Sequence, residues 1–338
     1  MTTTEIWKDL EASPPPSDGG IMARRIHPEA AINLFLAVEK PANARVLVLR
    51  VISAAVAPRV TLPKAEGFEV RRGFESLDGK KYCHLSVRLT HTRYADVFTT
   101  LVEDVVKHVL PASTDPIAAR ILLDRLERWQ AFLKRHAADG LGEEAQQGLY
   151  GELWFLGQHV LPVRGPRAAV ESWKGPEAAA QDFQVPGLAV EVKTAAGKQH
   201  QKLRISNERQ LDSTGAGVLL VFHLSVDVRD GGGESLPTRV QLVRDVLTVD
   251  AVAATEFERL LFESGYLDCH APVYDAQGYT IREANFFEVR DGFPRIVEAD
   301  LRNGVGDVSY SISVAECRNY SFPESRAHEL LGSTTNGG

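Results

Sequence analysis

Asp182, Glu191 and Lys193 stand at a spacing that can bring two carboxylates and an ammonium together on one face of a β-hairpin. They lie in Gln-Asp-Phe-Gln-Val-Pro-Gly-Leu-Ala-Val-Glu-Val-Lys-Thr (181–194), where two short apolar runs flank Pro186-Gly187, a dipeptide that breaks regular structure and turns the chain. Read as strands, the second run alternates: Leu188, Val190 and Val192 face one way, Ala189, Glu191 and Lys193 the other. With Pro186 and Gly187 alone in the loop, pairing runs 185–188, 184–189, 183–190 and 182–191. Asp182 then sits across from Glu191, with Cβ atoms roughly 4.5–5.5 Å apart. Pro-Gly favours a type II turn, whereas tight hairpins favour the primed types. A one-residue shift would send Asp182 to the opposite face, so both registers stay open at this level.

Two carboxylates side by side repel each other. A divalent cation between them removes that penalty, and carboxylate oxygens are the ligands Mg²⁺ prefers. A lysine beside such an ion can stabilise a developing anion or orient a water for attack.

Asp182 followed by Glu191-Val192-Lys193 resembles the signature of the PD-(D/E)xK nuclease superfamily. Gln181 stands where the superfamily name has Pro, a departure that removes no ligand. Three neighbours extend the resemblance. Gly151-Glu152-Leu153-Trp154 lies on an upstream helix, where many members carry an accessory acid. Ser172-Trp173-Lys174-Gly175-Pro176 precedes the motif, and Ile205-Ser206-Asn207-Glu208-Arg209-Gln210-Leu211 follows it, ahead of the apolar strand Val218–Phe222. This arrangement is similar to bacterial PD-(D/E)xK proteins found in restriction-modification and phage-defence loci, and covers about residues 140–225. The resemblance implies an α/β fold with a restriction-endonuclease-like αβββαβ core. It also implies a Mg²⁺ site, open to Mn²⁺, formed by Asp182, Glu191 and the backbone carbonyl of Val192. Lys193 would stand beside the attacking water, Glu152 would act through water or a second ion, and Gln210 would reach the site.

The positioning elements come from periodicity. Helical spacing gives Tyr94–Val109, Ile117–Arg135 and Glu143–Val160, the last with Leu149, Leu153, Leu156 and Val160 on one stripe and Glu152 at its edge. Asp115-Pro116 starts the second of these. Strand-like runs are Asn33–Glu39, Arg45–Ser53, Val60–Leu62, Phe68–Phe74 and Tyr82–Leu89 before the helices. After the motif come Leu203–Ile205, Val218–Leu224, Tyr279–Val289, Arg295–Leu301 and Val308–Val314, with a turn at Asn303–Asp307 between the last two. Ser206 or Asn207 can cap a helix turn holding Arg209 and Gln210, and Ala251–Ser264 reads as a further helix. The predicted organisation is an N-terminal segment and Pro/Gly linker (1–20), a β-rich domain (21–92), a helical connector (93–139), the nuclease core (140–230), an α+β C-terminal region (231–331) and a disordered tail (332–338).

Composition sets limits on function. Of 338 residues, 44% are hydrophobic and 25% charged, as in a soluble globular protein. No apolar run reaches the length of a membrane span, and the first residues lack the order of a signal peptide. Cys83, Cys269 and Cys317 make neither a zinc spacing nor a disulfide framework, which predicts reduced core thiols in a cytoplasmic protein. The net charge of −7 does not advertise a nucleic-acid binder. Between Asp182 and Gln210, however, Lys193, Lys198, Lys202, Arg204 and Arg209 outnumber the acids. Lys198, Lys202, Arg204 and Arg209 are therefore expected to contact DNA. His223 reads as structural, because no second His sits near it at metal spacing.

The expected function is a Mg²⁺-dependent deoxyribonuclease in bacterial restriction or phage defence, able to work with an ATPase or methyltransferase partner or as a homodimer. The alternative is a catalytically silent nucleic-acid-binding or scaffold subunit. A third class is a non-nuclease enzyme or interaction protein in which Asp182 and Glu191 are ordinary surface acids; a sheet placing them on opposite faces would leave only this class.

Overall fold

The computed structural model describes residues 1–14, 20–197, 201–215 and 217–333, which fold into two compact units, Met1–Gly140 and the chain from Leu141 onward. No helix among the described residues is long and apolar enough to cross a membrane. All three cysteines are free, Cys83 and Cys317 being buried.

In the first unit, alternating apolar residues build a six-stranded antiparallel sheet. Its strands are β1 (Gly20–Ile26), β2 (Asn33–Lys40), β3 (Ala44–Ile52), β4 (Lys64–Ala65), β5 (Phe68–Leu77) and β6 (Lys80–Leu89), in the order β1-β2-β3-β6-β5-β4. Helix α1 (Thr3–Ala12) buries Ile6, Trp7 and Leu10, with the Trp7 ring 5.8 Å from Phe98 of α2 (Ala95–Val109). Helix α3 (Asp115–Arg135) joins α2 through Asp104, which accepts from Arg125 at 2.6 Å and from the Trp129 indole at 2.9 Å. Two expectations are corrected here. Val60–Leu62 is not a strand, and Gly20–Ile26 is one, pairing along its full length with β2. The linker expected over 13–20 falls mostly on residues outside those described.

The second unit begins with α4 (Glu143–Phe155), which passes through a π-helical turn (Leu156–Val160) into α5 (Leu161–Ser172), itself broken at Gly165 where φ is +72°. The hairpin follows as β7 (Phe183–Val185) and β8 (Leu188–Ala196), then β9 (Lys202–Ile205) and the long β10 (Val218–Asp230). Helices α6 (Leu236–Leu247), α7 (Ala251–Glu263) and α8 (Ala271–Tyr274) precede β11 (Gln277–Glu288). β12 (Tyr310–Ser313), α9 (Val314–Cys317), β13 (Ser321–Phe322) and α10 (Glu324–Gly332) complete the unit. The main sheet runs β13-β11-β10-β8-β7, with β8 and β10 parallel and Leu220 opposite Val190.

β10 is central and apolar on both sides, as a strand covered on two faces must be. Leu220, Phe222, Leu224 and Val226 pack with Val190, Val192 and the helices; Leu219 and Val221 pack with Ala189, β9 and β12 on the other side. The α/β class is thus as the sequence implies. The sheet also recruits β11 and β13 from 231–331, the α+β region expected to pack on the core as a flank. β9 stands outside that sheet, in a two-stranded ribbon with β12. Residues 206–211 form a turn in which Asn207 Oδ1 accepts from Arg209 N at 3.0 Å. Arg295–Leu301 is not a strand. Side chains pin it instead: Arg295 donates to the Leu211 carbonyl at 2.6 Å, and the Tyr310 hydroxyl meets the backbone of Ile296.

Candidate metal and catalytic site

The two-residue register is the one that forms. Phe183 pairs with Val190, Gln184 with Ala189 and Val185 with Leu188. Gly187 has φ +81°, the value that position i+2 of a type II turn requires and glycine supplies without strain. Such a turn splays its strands, and β7 lasts only three residues. Asp182 therefore leaves the ladder, and its carboxylate takes over the work of a strand: Oδ2 accepts from Val192 N at 2.8 Å. The Asp182 carbonyl is held from the other side, accepting from the amides of Lys174 (2.7 Å) and Gly175 (3.0 Å). Trp173 forms an isolated bridge with Phe183, so residues 173–175 clamp the acid in place.

Glu152 arrives from α4. That helix runs close to β8 because Gly151 has no side chain; a Cβ there would lie 1.8 Å from Thr194 Oγ1. Gln147 reinforces the contact by donating to the Thr194 carbonyl at 2.7 Å. Glu152 Oε2 accepts from the Trp173 indole at 2.7 Å. Gly175 completes a cradle: a Cβ on it would lie 2.7 Å from Glu152 Oε2 and 3.0 Å from Asp182 Oδ1. The two carboxylates therefore converge on a space that only glycine leaves open.

Glu191 is 1% exposed, and Lys193 Nζ lies 2.7 Å from its Oε1. The Asp182 backbone amide also favours its charged form, without a well-shaped hydrogen bond to either oxygen. Lys193 donates in addition to Gln210 Oε1 at 3.1 Å, and that oxygen accepts from Ser206 N at 2.8 Å. Gln181 Nε2 ties the same turn down by donating to the Arg209 carbonyl at 3.2 Å. His223, opposite Lys193 on β10, is fully buried with its ring over Phe287, and burial pushes it down to about 4.

The electrostatics are those of a site short of positive charge. Burial, then Asp182, pushes Glu191 up to about 8. Burial raises Asp182, with Lys193 pulling it back. Glu152 is raised well above the carboxylate range by burial and by Asp182, with the Trp173 hydrogen bond opposing. Three acids thus share one ammonium. The donor set consists of carboxylate oxygens, and an extended residue's N–H and C=O leave its strand on the same side. The Val192 carbonyl therefore faces the edge its amide faces. Hard oxygen donors of this kind fit Mg²⁺ or Mn²⁺. They do not form a tight three-carboxylate cage: among the described residues, the set whose three ligand atoms all lie within 4.8 Å of one another is elsewhere.

The sequence-predicted residues Asp182, Glu191, Lys193, Glu152, Val192 and Gln210 are thus brought together. The basic residues are placed less uniformly. Lys202 and Arg204 occupy the exposed face of β9, Arg204 pairing with Glu144 at 3.1 Å. Arg209 pairs with Asp307 at 3.5 Å, and Lys198 lies outside the described residues. Sequence reasoning gives no role to Trp173 or Gly175, although both stand in a segment that carries the resemblance.

A family model described as "Putative PD-(D/E)XK family member, (DUF4420)" matches residues 3–315. Neither the curated proteins nor the solved structures contain a match to the chain.

Proposed function

The chain belongs to this PD-(D/E)XK family, and on that premise we propose that it is a metal-dependent nuclease hydrolysing DNA phosphodiester bonds. One observation carries the reading: Glu191, Asp182 and Glu152 are held together with raised proton affinities around a single lysine, an arrangement that a divalent cation relieves. Asp182, Glu191 and the Val192 carbonyl would hold Mg²⁺, with Mn²⁺ able to substitute. When bound, the ion supplies charge neutralisation at the phosphate and an acidified water. The chain's own residues do the rest. Asp182 is fixed by the Lys174 and Gly175 amides and needs no rearrangement to act as a ligand. Lys193 is suspended between Glu191 and Gln210, so its ammonium is aimed rather than mobile, as a donor to water or to developing phosphorane charge must be. Glu152, kept receptive to a proton by its surroundings, can take one from water or return it.

The resemblance to defence-associated proteins supports a setting in bacterial restriction or phage defence, in company with an ATPase or methyltransferase. The test is cleavage of plasmid DNA by the purified protein with Mg²⁺ or Mn²⁺, alongside Mn²⁺ titration calorimetry. Asp182→Asn and Glu191→Gln should lose metal binding and cleavage together. Lys193→Ala should keep metal binding and lose cleavage by roughly two orders of magnitude. A wild-type protein that binds Mn²⁺ and DNA yet cleaves nothing would favour the silent-subunit reading instead.

A further inference from the structure

A second cluster of ligand-type side chains lies where α4 passes into its π-helical turn, beside Phe222 of β10 and Phe286 of β11. His159 in that turn is 6% exposed at its side chain, and its Nδ1 lies 2.8 Å from His328 Nε2. Glu324 Oε1 is 3.6 Å from His159 Nδ1 and 3.8 Å from His328 Nε2. Glu324 and His328 stand one turn apart on α10, so both project from the same helix face. The π turn matters because it is the local irregularity that swings His159 toward α10, and such turns recur at functional sites. His159 is walled by Phe155, Phe222, Phe286 and Trp154, and its Nε2 has no polar partner among the described residues.

We propose that His159, Glu324 and His328 form a Zn²⁺ site, distinct from the Asp182 site, that fastens the start of α10 to the π turn. A tetrahedral zinc with bonds of about 2.0–2.1 Å separates its ligand atoms by roughly 3.3–3.4 Å. The observed 2.8, 3.6 and 3.8 Å bracket that value, so small rotations of three side chains suffice. Two imidazoles and one carboxylate suit zinc and its neighbours in the transition series; Mg²⁺ avoids such a set. The ion's approach is from the solvent side, past Glu324 at 63% and His328 at 33% side-chain exposure, and water would take the fourth position.

The proposal does not rest on nuclease activity. Chelator-stripped full-length protein titrated with Co²⁺ should bind one equivalent with the strong visible bands of tetrahedral cobalt, and Trp154, 5.5 Å from His159, should be quenched. His328→Gln, whose partly exposed position spares the core, and Glu324→Ala should weaken that binding by at least about tenfold, with circular dichroism confirming the fold. Asp182→Asn should retain the bands in full. Absence of tetrahedral bands in the wild type, their persistence in the His328→Gln/Glu324→Ala double variant, or their loss in Asp182→Asn would each overturn the assignment.

Discussion

Glu191→Gln is expected to make the metal-free protein more stable at alkaline pH while destroying its response to divalent cations. Glu191 has its folded-state value raised from 4.5 to about 8, so the folded chain holds this proton more tightly than the unfolded chain does. The stability this contributes is complete below the ordinary carboxylate range and drains away as the pH climbs from there to about 8. At about 1.4 kcal/mol per unit, the ionised folded state carries a penalty on the order of 4–5 kcal/mol. The amide removes that penalty. The 2.7 Å ion pair with Lys193 is already counted in it, because the lysine pulls Glu191 down to about 8 from where burial and Asp182 alone would set it, so the gain stays on the order of 4 kcal/mol. For a unit of this size that is a rise of roughly 8–16 °C in Tm. The assay is thermal unfolding followed by near-UV circular dichroism in chelator, at about pH 5 and about pH 9. The two proteins should melt close together at the lower pH and separate at the higher one, with the variant above. Mn²⁺ should then raise the wild type and leave the variant unmoved. A variant that melts below the wild type at the higher pH, or that Mn²⁺ stabilises equally, refutes the argument that Glu191 is a strained anion awaiting a cation.

Three other substitutions probe the framework. Gly175→Ala adds a methyl between Glu152 and Asp182 without changing charge, and should lower Mn²⁺ affinity by about tenfold or more with the fold intact; unchanged affinity in calorimetry would show that Gly175 does not shape the site. Gly151→Ala should cost about 1–3 kcal/mol in urea unfolding through overpacking against Thr194, and adding Thr194→Ala should restore part of it. Replacing Lys198, Lys202, Arg204 and Arg209 with Ala should weaken DNA binding in fluorescence anisotropy and flatten the log–log salt dependence by up to ~0.9 for each phosphate no longer neutralised; an unaltered slope would place the DNA surface elsewhere.

Much of the site was legible because its signal is local. A period of two through 188–193 shows which side chains share a face, and Pro186-Gly187 shows where the chain turns; of the two registers these leave open, the folded chain takes the one that pairs Phe183 with Val190. Central β10 was legible for the same reason, its apolar residues being uninterrupted. What the sequence hid is non-local. The pairing of β9 with β12 joins residues about a hundred positions apart, and no periodicity encodes a partner. Arg295–Leu301 alternates like a strand, yet side-chain hydrogen bonds from Arg295 and Tyr310 hold it in place of a ladder. Glu324 and His328 show a ligand spacing, but the third member lies far upstream in a π turn whose register shift leaves no mark in a helical stripe. Trp173 is fully buried, and that its indole also aims Glu152 emerges only when α4 and the 173–175 bridge are both in place.

The shortness of β7 explains why the carboxylates converge where they do. Had the antiparallel pairing continued past Phe183, the amide and carbonyl of Val192 would have been consumed by a backbone partner. The splayed type II turn ends the pairing early, and a buried amide left without a partner is costly. Asp182 meets that need with Oδ2 while Oδ1 faces Glu152 across Gly175. One carboxylate therefore closes the sheet edge with one oxygen and opens a ligand position with the other. Glu191 comes from the adjacent strand position and Lys193 from two residues on, so the acid, the carbonyl and the ammonium share a rigid strand rather than a loop. The same geometry that buries like charges at a cost to the metal-free fold is what would preorganise these oxygens for the proposed cation, and neither could be relaxed without losing the other.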